Sequence, residues 1–312
     1  MGLSKPVSLI GPDLVEWFNA RYTHQMGAVD GQDILFLAAM VEEFRPRKIV
    51  EIGCASGLST SVLAHLVEQV CIADGAEARI DSFDVYDRFY ADPSKPLGYL
   101  LEEALAHPHV DVTLNTPCTA LDVMERTSGD IDLCFIDASH EHPWPTIDTL
   151  AVLPAMRPGG IIVHHDLQMY QLDMAGIYGP KIVMDQVDDG LVRRSWSIYL
   201  PTEDLGLMSR WAKDNIFALV VPEDRDVLAW QLAQGFHLPW EKNLYKGVPD
   251  DVAERFCAVM AELGWGHARH SFERGFETHN PKPSPMDRGR RFALMAALRD
   301  LRAALGPRPK RD

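Results

Sequence analysis

Apolar and polar positions along the chain alternate between short apolar runs and longer segments with helical spacing. The short runs, typical of buried strands, lie at about residues 48–52, 79–84, 109–114, 131–136, 161–165, 195–200 and 216–221. Helical spacing predicts helices at about 13–25, 31–44, 57–69, 97–106, 118–126 and 144–156. Strands that alternate with helices favour an α/β fold, in which a doubly wound, mostly parallel sheet carries helices on both faces.

The same pattern divides the chain into three regions. We expect N-terminal helices over residues 1–45, an α/β core over 46–224 and a helical extension with a polar tail over 225–312. The last two predicted strands suit an antiparallel hairpin at one sheet edge. The turn Arg157-Pro158-Gly159-Gly160 is a stop signal for the helix before it.

Four tryptophans are interpreted first as core or an oligomer contact and second as an acceptor pocket: Trp211, Trp230, Trp240 and Trp265. Five arginines predict a solvated basic helix face: Arg288, Arg290, Arg291, Arg299 and Arg302.

Composition narrows the class of protein. The formal net charge of −15 disfavours general attraction to nucleic acid or to an anionic membrane. No apolar run approaches the ~18 residues of a membrane span. The cysteines are odd in number and scattered, which favours reduced thiols and a cytoplasmic location. They are Cys54, Cys71, Cys118, Cys134 and Cys257.

The most informative segment is a glycine turn between the first strand and its helix, over residues 48–60. Glu51 lies two positions before Gly53, and the next glycine is Gly57, a G-x-x-x-G spacing. Dinucleotide enzymes prefer G-x-G-x-x-G, whose middle glycine lets the backbone approach a pyrophosphate, whereas this chain has Ala55 there. The turn therefore favours S-adenosylmethionine, which has no phosphate, over NAD. A plain glycine turn in an ordinary βα unit is the alternative.

Polar residues follow four of the predicted strands. In an open parallel sheet, ligands bind outside the carboxyl ends of the strands. Asp84 follows the second strand and can accept both hydroxyls of a ribose, although Asp81 competes for that role. The fourth strand ends at Asp137 and the fifth at His165 and Asp166.

Two groups of residues carry a family resemblance. The turn over residues 51–59 resembles the cofactor motif of class I S-adenosylmethionine-dependent O-methyltransferases. Residues 135–140 and 153–166 resemble the metal-dependent branch of that family, which methylates small molecules and sugars and includes enzymes of the macrocin and mycinamicin type. The resemblance covers roughly residues 25–225. It implies a Rossmann-like sheet of seven strands, S-adenosyl-L-methionine as cofactor and self-association into a homo-oligomer.

The resemblance also implies a reaction and its site residues. The acceptor would be the hydroxyl of a sugar or another small metabolite, in natural product or glycan biosynthesis, and Mg²⁺ or Mn²⁺ would assist. The metal ligands would be Asp137, His165 and Asp166, and the catalytic residues His140 and Asp137. The cofactor contacts would be Met26, Gly27, Glu51, Gly53, Cys54, Ala55, Ser56, Gly57, Ser59, Asp84, Thr116 and Asp137.

Three alternatives remain open at this point. In the resembling enzymes an acidic or amide ligand precedes the equivalent of Asp166, whereas this chain has His165. The metal could therefore be a softer one, or the site could be lost. His140 matches a proposed general base, and an imidazole suits that task, but it could also be an ordinary loop histidine. The rival functions are a non-catalytic or metal-independent S-adenosylmethionine-binding protein and, less favoured, an NAD-dependent oxidoreductase.

Overall fold

A seven-stranded sheet forms the centre of the computed structural model. The structure describes residues 8–21, 29, 31–102, 104–171, 177–194, 215–241 and 247–280. The strands are β1 Lys48–Ile52, β2 Ala78–Phe83, β3 Val110–Asn115, β4 Ile131–Ile136, β5 Met156–His164, β6 Val192–Arg194 and β7 Phe217–Val220. They lie in the order β3-β2-β1-β4-β5-β7-β6, and only the pairings of β7 with β5 and β6 are antiparallel. The predicted Rossmann-like fold is confirmed.

Nine α-helices belong to the described part of the chain. They are α1 Pro12–Arg21, α2 Gly31–Phe44, α3 Leu58–Asp74, α4 Val123–Arg126, α5 Trp144–Val152, α6 Gly179–Gln186, α7 Arg225–Ala233, α8 Asp250–Glu262 and α9 Gly266–His279. Among these helices none is long and apolar enough to cross a membrane.

The sheet register brings the predicted site residues to one edge. Ile52 of β1 pairs with Phe83 of β2 and with Ile136 of β4, and Ile136 pairs with His164 of β5. Four neighbouring strands therefore end side by side. The turn after β1 and the residues after β2, β4 and β5 meet there, as the strand-end rule requires.

Two apolar cores fill the faces of the sheet. One packs α2 and α3 against it, with Leu35, Leu37 and Val67 fully buried. The other lies under α5 and continues without a break into the C-terminal helices, where Phe236 and Phe256 are fully buried. The described part of the extension therefore completes the core on this face of the sheet. Trp240 and Trp265 belong to this core, whereas Trp230 is exposed.

Two predicted elements differ from the observed ones for tertiary reasons. The helix predicted over 97–106 was wrong, since the described residues of this range, 97–102 and 104–106, contain only a 3-10 turn at Ala104–Ala106. The N–H groups of Gly98 and Leu100 donate instead to the carbonyl oxygens of Ala55 and Ser56, each at 2.9 Å. These contacts take the place of helical hydrogen bonds.

The second difference concerns β5, which begins at Met156 rather than at about 161. The glycines expected to follow a helix lie inside this strand. Gly159 N–H donates to the Val221 carbonyl and Val221 N–H to the Gly160 carbonyl, both at 2.8 Å. An irregularity in the pairing of β4 with β5 accommodates the turn residues. The strand predicted over 195–200 lies outside the described residues.

Candidate active site

The glycine turn after β1 is held by a buried carboxyl group. Glu51 is fully buried and accepts hydrogen bonds from the hydroxyls of Ser59 at 2.6 Å, Ser82 at 2.5 Å and Thr60. Burial raises the pKa of Glu51 to about 7, although these three hydroxyls act in the opposite direction. Glu51 and Ser59, both predicted cofactor contacts, thus bond to each other and tie β1 to the start of α3.

Gly53 brings the turn against the end of β4. Its φ is +99°, a conformation that side chains disfavour, and a Cβ there would lie 2.3 Å from the carbonyl oxygen of Asp137. Asp137 N–H in turn donates to the Ile52 carbonyl at 2.9 Å. The predicted cofactor turn and the predicted metal ligand are therefore in direct backbone contact, so they form one site.

The other residues of the turn contribute their backbone conformation rather than reactive side chains. Ala55 has a φ of +48° and Gly57 a φ of +85°. Burial raises the pKa of the Cys54 thiol to about 12, which agrees with a small packing residue rather than a nucleophile. Ser56 is buried beneath the segment that begins at Gly98.

Asp84 lies beside the turn, as the ribose prediction requires. One of its carboxylate oxygens accepts the N–H groups of Cys54 at 3.1 Å and Ala55 at 3.0 Å, and the other accepts Tyr86 N–H at 2.9 Å. A carboxylate offers about four acceptor positions, so capacity remains for a hydroxyl. The competitor Asp81 is committed elsewhere, because it forms a bidentate ion pair with Arg79, with both distances at 2.7 Å.

Thr116, predicted along the adenine, lies on the neighbouring strand end. Its hydroxyl donates to the Tyr86 carbonyl at 2.7 Å, and Cys118 N–H donates to the Asp84 carbonyl at 2.8 Å. The loop after β3 is thus fastened to the loop that carries Asp84. The other two predicted cofactor contacts, Met26 and Gly27, lie outside the described residues.

Three side chains converge at the ends of β4 and β5. The Nε2 atom of His140 lies 3.1 Å from a carboxylate oxygen of Asp166 and 3.7 Å from one of Asp137. One ligand atom from each of these residues lies within 4.8 Å of the other two. The side chains are neither fully buried nor freely exposed, with 10% exposure for Asp137, 19% for His140 and 22% for Asp166.

His165, a predicted metal ligand, lies beside these three side chains. It is buried, with Nδ1 3.1 Å from Asp137 and Nε2 3.1 Å from Asp33 of α2. Burial lowers its pKa, but the carboxylates of Asp166, Asp137 and Asp33 outweigh burial and hold the pKa well above its usual value. Both ring nitrogens face carboxylates, so His165 lies between Asp137 and Asp33.

Asp166 is held by a residue that sequence reasoning did not identify. It adopts a φ of +60°, which aspartate tolerates better than most residues. Asn215 lies just before β7. Its side-chain amide donates a hydrogen bond to a carboxylate oxygen of Asp166 at 3.1 Å, and its backbone carbonyl accepts the N–H of Leu167 at 2.9 Å. The adjacent histidine, His164, has the structural role predicted for it, because it is buried, 3.1 Å from the Thr149 hydroxyl.

A second unpredicted residue fixes the loop that carries His140. Glu241 accepts the N–H of His142 at 2.7 Å and the N–H of Tyr178 through its other oxygen, and its own N–H donates to the His142 carbonyl at 3.1 Å. Gly179 N–H donates to the His140 carbonyl at 3.1 Å, and a Cβ at Gly179 would lie 2.3 Å from that oxygen. The C-terminal region and the start of α6 together clamp the loop.

These residues form a donor set that fits a divalent cation. His165, held in its charged form, neutralises one of the three carboxylates around it, which leaves net negative charge beside His140. Carboxylate oxygens suit Mg²⁺ and Mn²⁺, and an imidazole nitrogen is acceptable to Mn²⁺ and to softer metals. Asp137 and Asp166 could supply oxygen ligands to it, and His140 lies close enough either to be a third ligand or to remain free as a proton acceptor.

Comparison with known proteins identifies the central segment. Residues 50–167 match a family described as a methyltransferase domain, and the match covers less than half of the chain. It includes the glycine turn, Asp84, Asp137, His140 and Asp166. No curated protein sequence matches this one.

Several solved structures are similar at low identity. A methyltransferase from Podospora anserina, PaMTH1, bound to S-adenosylhomocysteine, has 14% identity and a TM-score of 0.42 over 67% of this chain and 86% of that chain. An O-methyltransferase from Bacillus cereus in complex with the same product has 18% identity and a TM-score of 0.39 over 67% and 90%. A methyltransferase of the mycinamycin pathway, in complex with Mg and that product, has 16% identity and a TM-score of 0.39 over 68% and 55%.

At these identities and TM-scores the similar structures support no argument about activity. The family match carries the assignment, because it spans the strand ends where the cofactor turn meets Asp137. The match agrees with the enzyme class predicted from the sequence, an S-adenosylmethionine-dependent methyltransferase.

Proposed function

We propose that this protein transfers the methyl group of S-adenosylmethionine to a hydroxyl oxygen of a small metabolite, such as a sugar, with the help of a divalent metal. The observation that carries the proposal is the backbone contact between the Gly53 turn and Asp137, which joins the methyltransferase cofactor turn to the cluster of Asp137, His140 and Asp166. A nucleophile held by this cluster would lie next to the cofactor.

The reaction requires an oxygen that has lost its proton. The bond between sulfur and the methyl carbon breaks as the bond between oxygen and that carbon forms, and S-adenosylhomocysteine leaves with the electron pair. A bound divalent cation lowers the pKa of a hydroxyl and orients it. Asp137 and Asp166 are proposed as the protein ligands, and their partly exposed carboxylates leave room for the acceptor and for water.

His140 is proposed as the base that accepts the hydroxyl proton. It is the imidazole in the cluster that is partly exposed, whereas His165 is buried between acids and carries a proton already. A neutral imidazole can accept a proton from a hydroxyl, and Asp166 at 3.1 Å would stabilise the imidazolium that forms. His165 is proposed as a positioning residue that orients Asp137.

Calorimetric titration with S-adenosylhomocysteine tests the proposal first. It is repeated with Mg²⁺, with Mn²⁺ and with a chelator, and NAD serves as the control ligand. We expect binding of the product, no heat from NAD and a separate metal heat that the chelator abolishes. Product binding without any metal response would leave a methyltransferase but contradict metal assistance, and binding of NAD alone would contradict the proposed class.

The acceptor is then sought by following S-adenosylhomocysteine formation with a panel of sugars, phenols and glycosylated metabolites. Turnover of hydroxyl compounds that stops on chelation supports the proposal. Turnover of amines or thiols in preference to hydroxyls would contradict transfer to oxygen.

A further inference from the structure

A groove lies between α8 and α9, and none of its described lining residues belongs to the site above. Its floor is apolar and includes Ala253, Cys257, Phe272 and Phe276, of which Cys257 and Phe276 are half-buried. In a helix pair that otherwise packs into the core, such a floor is suited to a further apolar segment.

The rim of the groove is acidic. Asp250, Glu254, Glu273 and Glu277 line it, and Arg269 is its one cation among the described lining residues. Arg269 is paired with Glu273 at 2.8 Å, so net negative charge remains along the rim. The groove therefore suits a segment that is apolar on one side and basic beside it.

The chain itself carries such a segment after residue 285. Leucines recur at a spacing of four, three and four residues, at Leu294, Leu298, Leu301 and Leu305, which places them on one face of a helix. Arg291 and Arg302 would flank that face on its basic side. Three prolines at 281, 283 and 285 precede the segment and prevent α9 from continuing into it.

The chain leaves the described region beside the groove. Asn280 follows α9, and its side chain accepts Val248 N–H and donates to the Val248 carbonyl, both at 2.9 Å. This anchors the exit point next to Asp250, at the start of α8 and on the rim. A helix over residues 286–305 would be ~30 Å long at 1.5 Å per residue, enough to run the length of α8.

From these observations we infer that residues 286–305 of the same chain bind the groove between α8 and α9 as an amphipathic helix, with the leucine face on the apolar floor and arginines against the acidic rim. Occupancy by the tail of a second copy or by a separate protein is a distinct outcome of the test.

Cys257 reports on the groove, because the other four cysteines are buried and Cys257 is half-buried on the groove floor. The rate at which a small disulfide reagent modifies Cys257 is measured in the full chain, with Cys257→Ser identifying its signal. Leu298→Asp places a charge on the leucine face. Ala303→Asp, the matched control, places the same charge on the opposite face of the helix.

We expect Leu298→Asp to raise the modification rate by about tenfold or more and Ala303→Asp to leave it within about twofold, with unchanged melting temperatures. Equal rates in all three proteins, or an equal rise in both variants, would overturn the inference. Protection of Cys257 in the unsubstituted chain that disappears on about hundredfold dilution would assign the groove to a second copy and also overturn it. Protection of Cys257 that appears only when another protein is added would assign the groove to that protein and would also overturn the inference.

Discussion

The two halves of the active-site edge use their acidic residues in different ways. At the ends of β1 and β2, Glu51 accepts three hydroxyl groups and Asp84 accepts three backbone N–H groups. At the ends of β4 and β5, Asp137 and Asp166 face imidazoles and an amide that come from several distant elements. The first pair shapes a turn, whereas the second pair presents charge to the cleft.

This difference separates a recognition role from a chemical one. A carboxyl group such as Glu51, whose pKa burial raises to about 7, contributes hydrogen bonds and little charge. His165 and His140 lower the pKa of Asp166 despite its burial, so its charge persists over the pH range in which enzymes work. The acids of the proposed cofactor half are therefore held in hydrogen bonds within the turn, and the other half presents the charge that the proposed cation and proton transfer require.

The largest effect is expected from the base. His140→Gln removes the proton acceptor of the chemical half while keeping a polar side chain, and we expect the turnover number to fall about 100-fold. Affinity for S-adenosylhomocysteine should stay within about twofold, since the cofactor half is untouched. Turnover is followed with the best acceptor from the hydroxyl panel, and His237→Gln, at an exposed position, is the control. Unchanged turnover would show that His140 is an ordinary loop histidine.

The cofactor half is tested by a matched pair of aspartates. Asp84→Asn removes a charged acceptor beside the turn and should weaken binding of S-adenosylhomocysteine about tenfold, because hydrogen bonds to charged groups are the stronger ones. Asp81→Asn should leave the affinity unchanged, since Asp81 is occupied by Arg79. Calorimetry of both variants decides the question, and the reverse ranking would assign the ribose to Asp81.

A smaller effect is expected from the clamp on the His140 loop. Glu241→Gln retains one acceptor oxygen and loses the other, so one of its two backbone partners, His142 or Tyr178, is left unsatisfied. We expect the turnover number to fall several-fold with little change in the Michaelis constant for S-adenosylmethionine. Glu223→Gln at an exposed position controls for the loss of charge. A change in cofactor affinity alone would contradict a role in positioning His140.

The last prediction concerns stability, not turnover or affinity. The folded state holds a proton on Glu51 up to about pH 7, whereas the unfolded chain loses it near 4.5, so the free energy of unfolding should fall as pH rises between those values. The contribution is about 3 kcal/mol at most. Urea unfolding at several pH values should show this slope in the parent protein and a shallower one in Glu51→Gln. An identical slope in both would mean that Glu51 is ionised when folded.

The sequence predicted the strands and the glycine turn better than the contacts among the residues of the proposed chemical half, for a physical reason. The bounds of β1 and β4 agree with the predicted ones, and the glycine turn follows from residues close together in the chain. The partners of the chemical half are remote, because His165 meets Asp33 across 132 positions and His142 meets Glu241 across 99. None of the residues Asp33, Asn215 and Glu241 belongs to a local motif, so periodicity and spacing could not reveal their contacts in the site.

The same limit applies to the surroundings of His165. A histidine beside Asp166 at a strand end looks like a metal ligand when only its neighbours in sequence are considered. The buried carboxylate of Asp33 on α2 adds a partner that the sequence does not reveal, 3.1 Å from Nε2 of His165, and it helps to raise the pKa of the imidazole. Helix α2 therefore helps to determine the chemistry at the end of β5.

The central claim is that cofactor and metal share one site, and the effect of Mn²⁺ on bound S-adenosylhomocysteine tests it most directly. Mn²⁺ is paramagnetic and speeds the nuclear relaxation of a ligand only when it binds close by. We predict strong relaxation enhancement of the homocysteine protons with Mn²⁺, none with Mg²⁺, and loss of the effect in Asp137→Asn while the product still binds. Tight binding of the product with relaxation unaffected by bound Mn²⁺ would contradict the account.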